Sequence, residues 1–218
     1  MNWNLPNILT VLRLLAAPGV AVMFLYFHRP TADWVALVLF ILAAVTDFFD
    51  GYLARRWGQE SKIGAMLDPI ADKAMVVIAL LVITGFSGMN PWILLPATVI
   101  MFREVFVSGL REFLGDTAGL LKVTKLAKWK TTAQMVAIAV LFSTGAFETY
   151  FAMETDGMDV AFIAEVLRGN VPDENGIIWK HFGAVWSWNI GVVLLWIAGI
   201  LTILTGWDYF RKALPYLK

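Results

Sequence analysis

Residues 74–102 contain no charged side chain, and that run limits what the chain can become more than any other feature. It exceeds the roughly 20 apolar residues that carry a helix across a hydrocarbon core. Gly85, Gly88, Asn90 and Pro91 fall in its middle, so the run predicts two membrane helices joined by a tight turn. Composition points to the same solvent. Of 218 residues, 59% are hydrophobic and 16% charged, and mean hydropathy is +0.70, whereas soluble domains carry roughly 25% charged residues. Trp3, Trp92, Trp129 and Trp207 stand near the ends of apolar runs, where amphipathic rings settle at headgroup level.

Further apolar stretches predict helices over 5–28, 34–56, 131–147 and 182–207. With the two halves of 74–102 they make six, and the expected fold class is an all-α integral membrane protein, one domain over 1–218 with six transmembrane helices. No basic leader precedes the first stretch and no small-residue cleavage pattern follows it, which predicts a retained helix. Basic residues orient the spans. If the N-terminus, the 55–73 and 103–130 connections and the C-terminus share one side, that side holds every one of the 17 Lys and Arg residues except Arg29, Arg168 and Lys180. Both termini are therefore expected in the cytoplasm. The acidic 148–181 segment, with Glu154, Asp156, Asp159, Glu165, Asp173 and Glu174, is expected outside, and within it 160–167 suits either a short surface helix or an ordered loop. The chain has no cysteine, which removes disulfides, zinc-thiolate sites and thiol nucleophiles. Its zero net charge gives no overall field to attract nucleic acid. His28 and His181 stand singly at helix ends and receive no role.

The chemistry lies in four aspartates, Asp47, Asp50, Asp68 and Asp72. Positions 47, 50, 51 and 54 share one helical face, and 64, 68 and 72 share another. Two carboxylates thus project from each of two helices. Charge within a membrane segment costs several kcal/mol unless it is compensated. Arg55 and Lys73 are available to neutralise part of the cluster in a structural ion-pair network, and the remaining negative charge calls for metal. Carboxylate oxygen without His or Cys selects a hard divalent ion, Mg²⁺ or Mn²⁺, and two such ions suit displacement at phosphorus. Gly51 and Ala54 leave backbone open to a diphosphate, although small-residue helix packing explains them equally well.

Asp47-Phe-Phe-Asp50-Gly51-Tyr-Leu-Ala54-Arg55, eight residues, Gly64, three residues, Asp68, three residues, Asp72 form one uninterrupted pattern. It resembles the signature of the CDP-alcohol phosphotransferase family at all its fixed positions. Pro6-Asn-Ile-Leu-Thr10-Val-Leu-Arg13, Met66 to Lys73, Arg103-Glu104, Arg111-Glu112 and Lys128 to Met135 are similar to its phosphatidylglycerophosphate synthase branch. The resemblance implies a six-helix membrane fold, usually a homodimer, with a cavity open to the cytoplasm of a bacterial cell. It implies that Asp47, Asp50, Asp68 and Asp72 bind two divalent ions and that Asp72 is the candidate general base. Asp47, Asp68, Gly51, Ala54 and Arg55 would receive the CDP moiety of CDP-diacylglycerol. Asn7 and Thr10 would help hold the nucleotide, with helix capping as their other explanation.

The acceptor is less constrained, because the same signature serves enzymes that use serine, inositol phosphate, glycerol phosphate or a second lipid. Arg103, Arg111, Lys125, Lys128 and Lys130 fall on the expected cytoplasmic side. A dianionic headgroup suits them, as does a role as anchors for anionic lipid. Ser61 and Lys62, just before Gly64, are further candidates. Glycerol 3-phosphate is the expected acceptor. A divalent-cation transporter would also place aspartates in membrane helices, but no repeated halves are found, and transport has no need of Gly51, Ala54, Arg55 and Gly64 at these spacings. The 148–181 segment is longer than the connection the family pattern leads one to expect.

Overall fold

The computed structural model describes residues 5–57, 61–115 and 125–217. Among them the helices are α1 Leu5–Tyr26, α2 Thr31–Trp57, α3 Lys62–Phe86, α4 Pro91–Leu114, α5 Lys125–Thr155, α6 Val160–Leu167 and α7 Ile177–Ala213, followed by a 3-10 turn at Leu214–Tyr216. No strand occurs among the described residues. Four stretches, Asn7–Tyr26, Pro91–Leu114, Leu126–Thr155 and Ile177–Tyr216, are long and apolar enough to cross a membrane. Leu15, Leu25, Phe102 and Val105 are 64%, 79%, 70% and 73% exposed, while Arg13, Asp33, Lys130 and Lys180 are buried. Greasy residues outside and charged ones inside suit a lipid solvent, in which polar side chains must find their partners within the protein.

The break foreseen at 85–91 is present. α3 ends at Phe86, Gly88 and Met89 take φ of 63° and 58°, and the Asn90 side chain accepts from the Trp92 N–H at 3.0 Å, with Pro91 opening α4. Elsewhere the helices overrun the spans that hydropathy marks. α3 begins at Lys62, α4 continues past Arg103, and α5 extends on both sides of 131–147. Hydropathy marks only the stretch free of charge. A helix continues wherever its charged side chains are partnered, as those of Asp68, Asp72 and Arg103 are.

The chain packs as two units: one comprises the residues through Ala79 together with Ala139–Gly191, the other Leu80–Ile138 and Val192 onward. In the first unit α1 lies against α2. Ala17, Ala32, Ala36 and Ala43 are buried there, small side chains of the kind that let membrane helices approach closely. Phe142 of α5 stacks on Phe24 and meets Phe40, with centroids 6.3 and 6.2 Å apart. Arg29 makes two hydrogen bonds to Asp33, at 2.8 and 2.7 Å. Gly145 admits that pair, since a Cβ there would collide with both side chains.

The expected outer segment is more helical than a loop insertion. α5 takes its first residues as far as Thr155, and α6 occupies 160–167, with the Asp159 side chain accepting from the Ala161 N–H at 3.2 Å. Asp173 accepts from the N–H groups of Ile177 and Ile178 at the start of α7. Lys180 then ties the segment down by donating to Glu154 and to the Asn175 carbonyl, both at 2.8 Å.

In the second unit Gly199 of α7 admits Pro96 of α4, whose Cβ lies 3.3 Å from where a glycine Cβ would stand. Trp196 Nε1 donates to the Trp92 carbonyl at 3.0 Å, and the two rings meet edge-on. Phe106 packs against Phe210.

Candidate active site

Asn7, Thr10 and Arg13 recur at every third position of α1, and all are buried, at 7%, 2% and 3% exposure. They line the helix with one acceptor, one hydroxyl and one cation. Thr10 Oγ1 donates to Asp68 Oδ1 at 2.7 Å. Arg13 Nη1 donates to Asp72 Oδ1 at 2.7 Å and also to Asp47 Oδ1. A single nitrogen from α1 therefore gathers one carboxylate from α2 and one from α3, and a neighbouring hydroxyl holds the third. The network is charge-assisted, which makes it stronger than neutral hydrogen bonds of the same length.

The start of α3 is fastened to α1 as well. Ser61 Oγ donates to Asn7 Oδ1 at 2.7 Å and accepts from the Gly64 N–H at 2.9 Å, capping α3. This contact explains why position 64 is glycine: a Cβ there would stand 2.8 Å from Asn7 Oδ1 and 3.2 Å from Ser61 Oγ. Asn7 and Thr10 both reach across to α3 or its cap. The Ser61 hydroxyl, an acceptor-binding candidate from sequence, serves as that cap, and Lys62 beside it is exposed.

The side chains of Asp50, Gly51, Ala54, Arg55 and Lys125 lie outside the described residues, so those five expectations stand as sequence readings. Among the described residues no group of three or more His, Cys, Asp or Glu is gathered closely enough to hold a metal ion. What the described residues offer is a position between Asp47 and Asp72 already occupied by one cationic nitrogen. The donors at that position are hard carboxylate oxygens from two helices, and the set fits Mg²⁺ or Mn²⁺.

The expected acceptor residues lie in the second unit. Lys130 Nζ and Arg103 Nη1 both donate to Glu104 Oε1, at 2.6 and 3.1 Å. Lys130 is buried. Arg111 Nε lies 3.3 Å from the Tyr209 hydroxyl, with the guanidinium over that ring, and Lys128 is exposed. Arg13 and Glu104 enter the sequence reading only within the resembling segments and receive no role there, and Tyr209 is not named at all; Arg55 and Lys73 are the residues expected to neutralise the aspartates, and the side chain of Arg55 lies outside the described residues. The signal for Arg13 was available: it is the one charge of the first apolar stretch, and intramembrane charges are paired. Glu104 carried a similar signal as an acid beside Arg103 within a membrane helix.

These features define a helical membrane protein with a carboxylate centre built from its first three helices. The chain belongs to the CDP-alcohol phosphatidyltransferase family, whose sequence profile matches residues 3–204. It is similar to a CDP-diacylglycerol--glycerol-3-phosphate 3-phosphatidyltransferase of Cereibacter sphaeroides, 68% identical over 218 residues that span 100% of this chain and 99% of that one. A protein of the same name from Rickettsia bellii is 35% identical over 213 residues, 98% of this chain and 97% of the other. One from Salmonella choleraesuis is 39% identical over 169 residues, 77% and 90%.

Proposed function

We propose that this protein transfers the phosphatidyl group of CDP-diacylglycerol to sn-glycerol 3-phosphate, releasing CMP and forming phosphatidylglycerol phosphate. The observation that carries the reading is the full-length identity of 68% to a relative of that name, in a chain whose signature aspartates Asp47, Asp68 and Asp72 are drawn together by α1.

Asp47, Asp50, Asp68 and Asp72 are the residues that would hold two divalent ions, Mg²⁺ or Mn²⁺. When bound, such ions offset the charge on the phosphoryl oxygens of the transition state. The protein's own residues do the rest. Gly51, Ala54 and Arg55, with Asn7 and Thr10, receive the diphosphate and cytidine. Arg103, Arg111, Lys125, Lys128 and Lys130 receive the acceptor phosphate, and the meeting of Arg103 and Lys130 at one carboxylate, Glu104, is the support. Asp72 accepts the proton of the attacking hydroxyl. That oxygen bonds to the phosphorus bearing diacylglycerol, the bond from this phosphorus to the bridging oxygen breaks, and CMP leaves with the electron pair.

In this reading α2 and α3 are also spans. At 27 and 25 residues and 1.5 Å per residue both are longer than a hydrocarbon core of about 30 Å. They complete six transmembrane helices, with both termini and the carboxylate centre on the cytoplasmic side of a bacterial inner membrane, in a single domain that forms a homodimer.

The test is CMP release by purified protein in detergent with CDP-diacylglycerol and Mg²⁺ or Mn²⁺. Glycerol 3-phosphate, serine, inositol phosphate and phosphatidylglycerol are offered separately. Release with glycerol 3-phosphate alone is the expected result. Release with a different acceptor alone keeps the reaction class and refutes the acceptor, and release with none refutes the reading.

A further inference from the structure

We infer that Arg13 is an exchangeable counter-ion of the carboxylate centre, a positioning residue that holds oxygens of Asp47 and Asp72 and yields them to a divalent cation. The inference rests on the proposal that these carboxylates take such an ion, and it goes beyond that proposal in naming what the ion must displace. Nη1 is shared between Asp47 Oδ1 and Asp72 Oδ1, the latter at 2.7 Å. The Arg13 side chain is 2% exposed, whereas those of Asp47 and Asp72 are 45% and 49% exposed. The carboxylates are thus open to an arriving ion while their present cation is held within the protein. Asp68 is treated differently, receiving a neutral hydroxyl from Thr10.

A divalent ion held by Asp47 and Asp72 would draw on the carboxylate oxygens that Nη1 now holds. Two cations crowded on the same pair of oxygens would repel one another, so each would weaken the hold of the other. Metal binding therefore favours departure of the guanidinium from at least one carboxylate, and Arg13 sets the affinity of the centre. Once displaced, the guanidinium stays within its own side-chain length of the pair. Its donor fork suits the phosphoryl oxygens of a diphosphate.

A merely structural arginine and an exchangeable one differ in the sign of the effect of removing them. Loss of a structural brace loosens the carboxylates and weakens metal binding, whereas loss of a competitor strengthens it. The experiment is Mn²⁺ binding to the full chain in detergent, read from the electron paramagnetic resonance signal of free Mn²⁺, for wild type, Arg13→Gln and Arg13→Lys. Thermal unfolding in chelator and in Mn²⁺ runs alongside. Arg13→Gln is expected to bind Mn²⁺ on the order of tenfold more tightly, to melt lower in chelator, and to gain more melting temperature from Mn²⁺ than wild type does. Arg13→Lys, which keeps the charge, is expected to stay close to wild type. Unchanged or weaker Mn²⁺ binding by folded Arg13→Gln overturns the inference and leaves the metal reading intact. Absence of Mn²⁺ binding by wild type overturns both. If Arg13→Gln does not fold, the wild-type protein with ¹⁵N-labelled arginine decides. The side-chain resonance missing from Arg13→Lys should move as Mg²⁺ binds, and a resonance that stays in place while Mg²⁺ binds overturns the inference.

Discussion

Two clusters of charge in this protein are built to opposite stoichiometries. In the first unit one guanidinium, Arg13, serves two carboxylates, Asp47 and Asp72. In the second, one carboxylate, Glu104, serves two cations, Arg103 and Lys130. Counted over these described residues, the first cluster has two carboxylates to one cation and the second has two cations to one carboxylate. In the proposed function the first would take a divalent cation and the second a phosphorylated acceptor. The Lys180–Glu154 pair is the contrasting case: one cation meets one carboxylate, and its work is to fasten the start of α7 to the end of α5. In a membrane protein, where every buried charge must be compensated, the imbalance of an ion-pair cluster is more informative than its existence.

The largest effect is expected at the negative cluster. Asp72→Asn removes a partner of Arg13, a proposed metal ligand and the proposed base, and should lower CMP release roughly 10³-fold with the protein still folded. Near-normal turnover would show that the negative cluster is structural, and the comparison would fail. Glu104→Gln removes the carboxylate at which Arg103 and Lys130 meet. Breaking a buried pair this way should destabilise the fold by about 3 kcal/mol, seen as a lower melting temperature, and should alter KM for glycerol 3-phosphate more than KM for CDP-diacylglycerol. A change confined to the lipid substrate would contradict the assignment of this cluster to the acceptor. Gly64→Ala drives a methyl group against Asn7 Oδ1 and Ser61 Oγ. It should cost about 1–2 kcal/mol of stability and reduce turnover through the α1–α3 fastening. Glu154→Gln tests the balanced pair. Because Glu154 is 40% exposed, solvent weakens the interaction, so the loss should stay near or below about 1 kcal/mol, with CMP release unchanged. A large catalytic effect there would undo the distinction between balanced and unbalanced pairs.

Much of this was legible in the residues. Gly88, Asn90 and Pro91 marked the turn between α3 and α4 because left-handed backbone and an Asn cap leave clear local signs. Asp47, Asp68 and Asp72 were picked out by helical spacing together with the family resemblance, and Arg13 and Thr10 of α1 contact all three. The helix ends were not, because hydropathy registers where charge appears and cannot register that Asp68, Asp72 and Arg103 are partnered within continuing helices. The roles of Arg13 and Glu104 were hidden for a related reason. Which opposite charge meets a buried one depends on which helices pack together, and Arg13 meets residues 34 and 59 positions away. Gly64 was read as part of a pattern, while its cause, the approach of Asn7, is tertiary.

The most direct measurement of the central claim is the passage of label from radioactive sn-glycerol 3-phosphate into the chloroform-soluble fraction, using purified wild-type protein, CDP-diacylglycerol and Mg²⁺. Phosphatidyl transfer predicts a labelled lipid formed in equal amount to the CMP released, abolished by chelator, restored by added Mg²⁺ and absent with Asp72→Asn. CMP released without label in lipid, or label transferred equally well by Asp72→Asn, would contradict it.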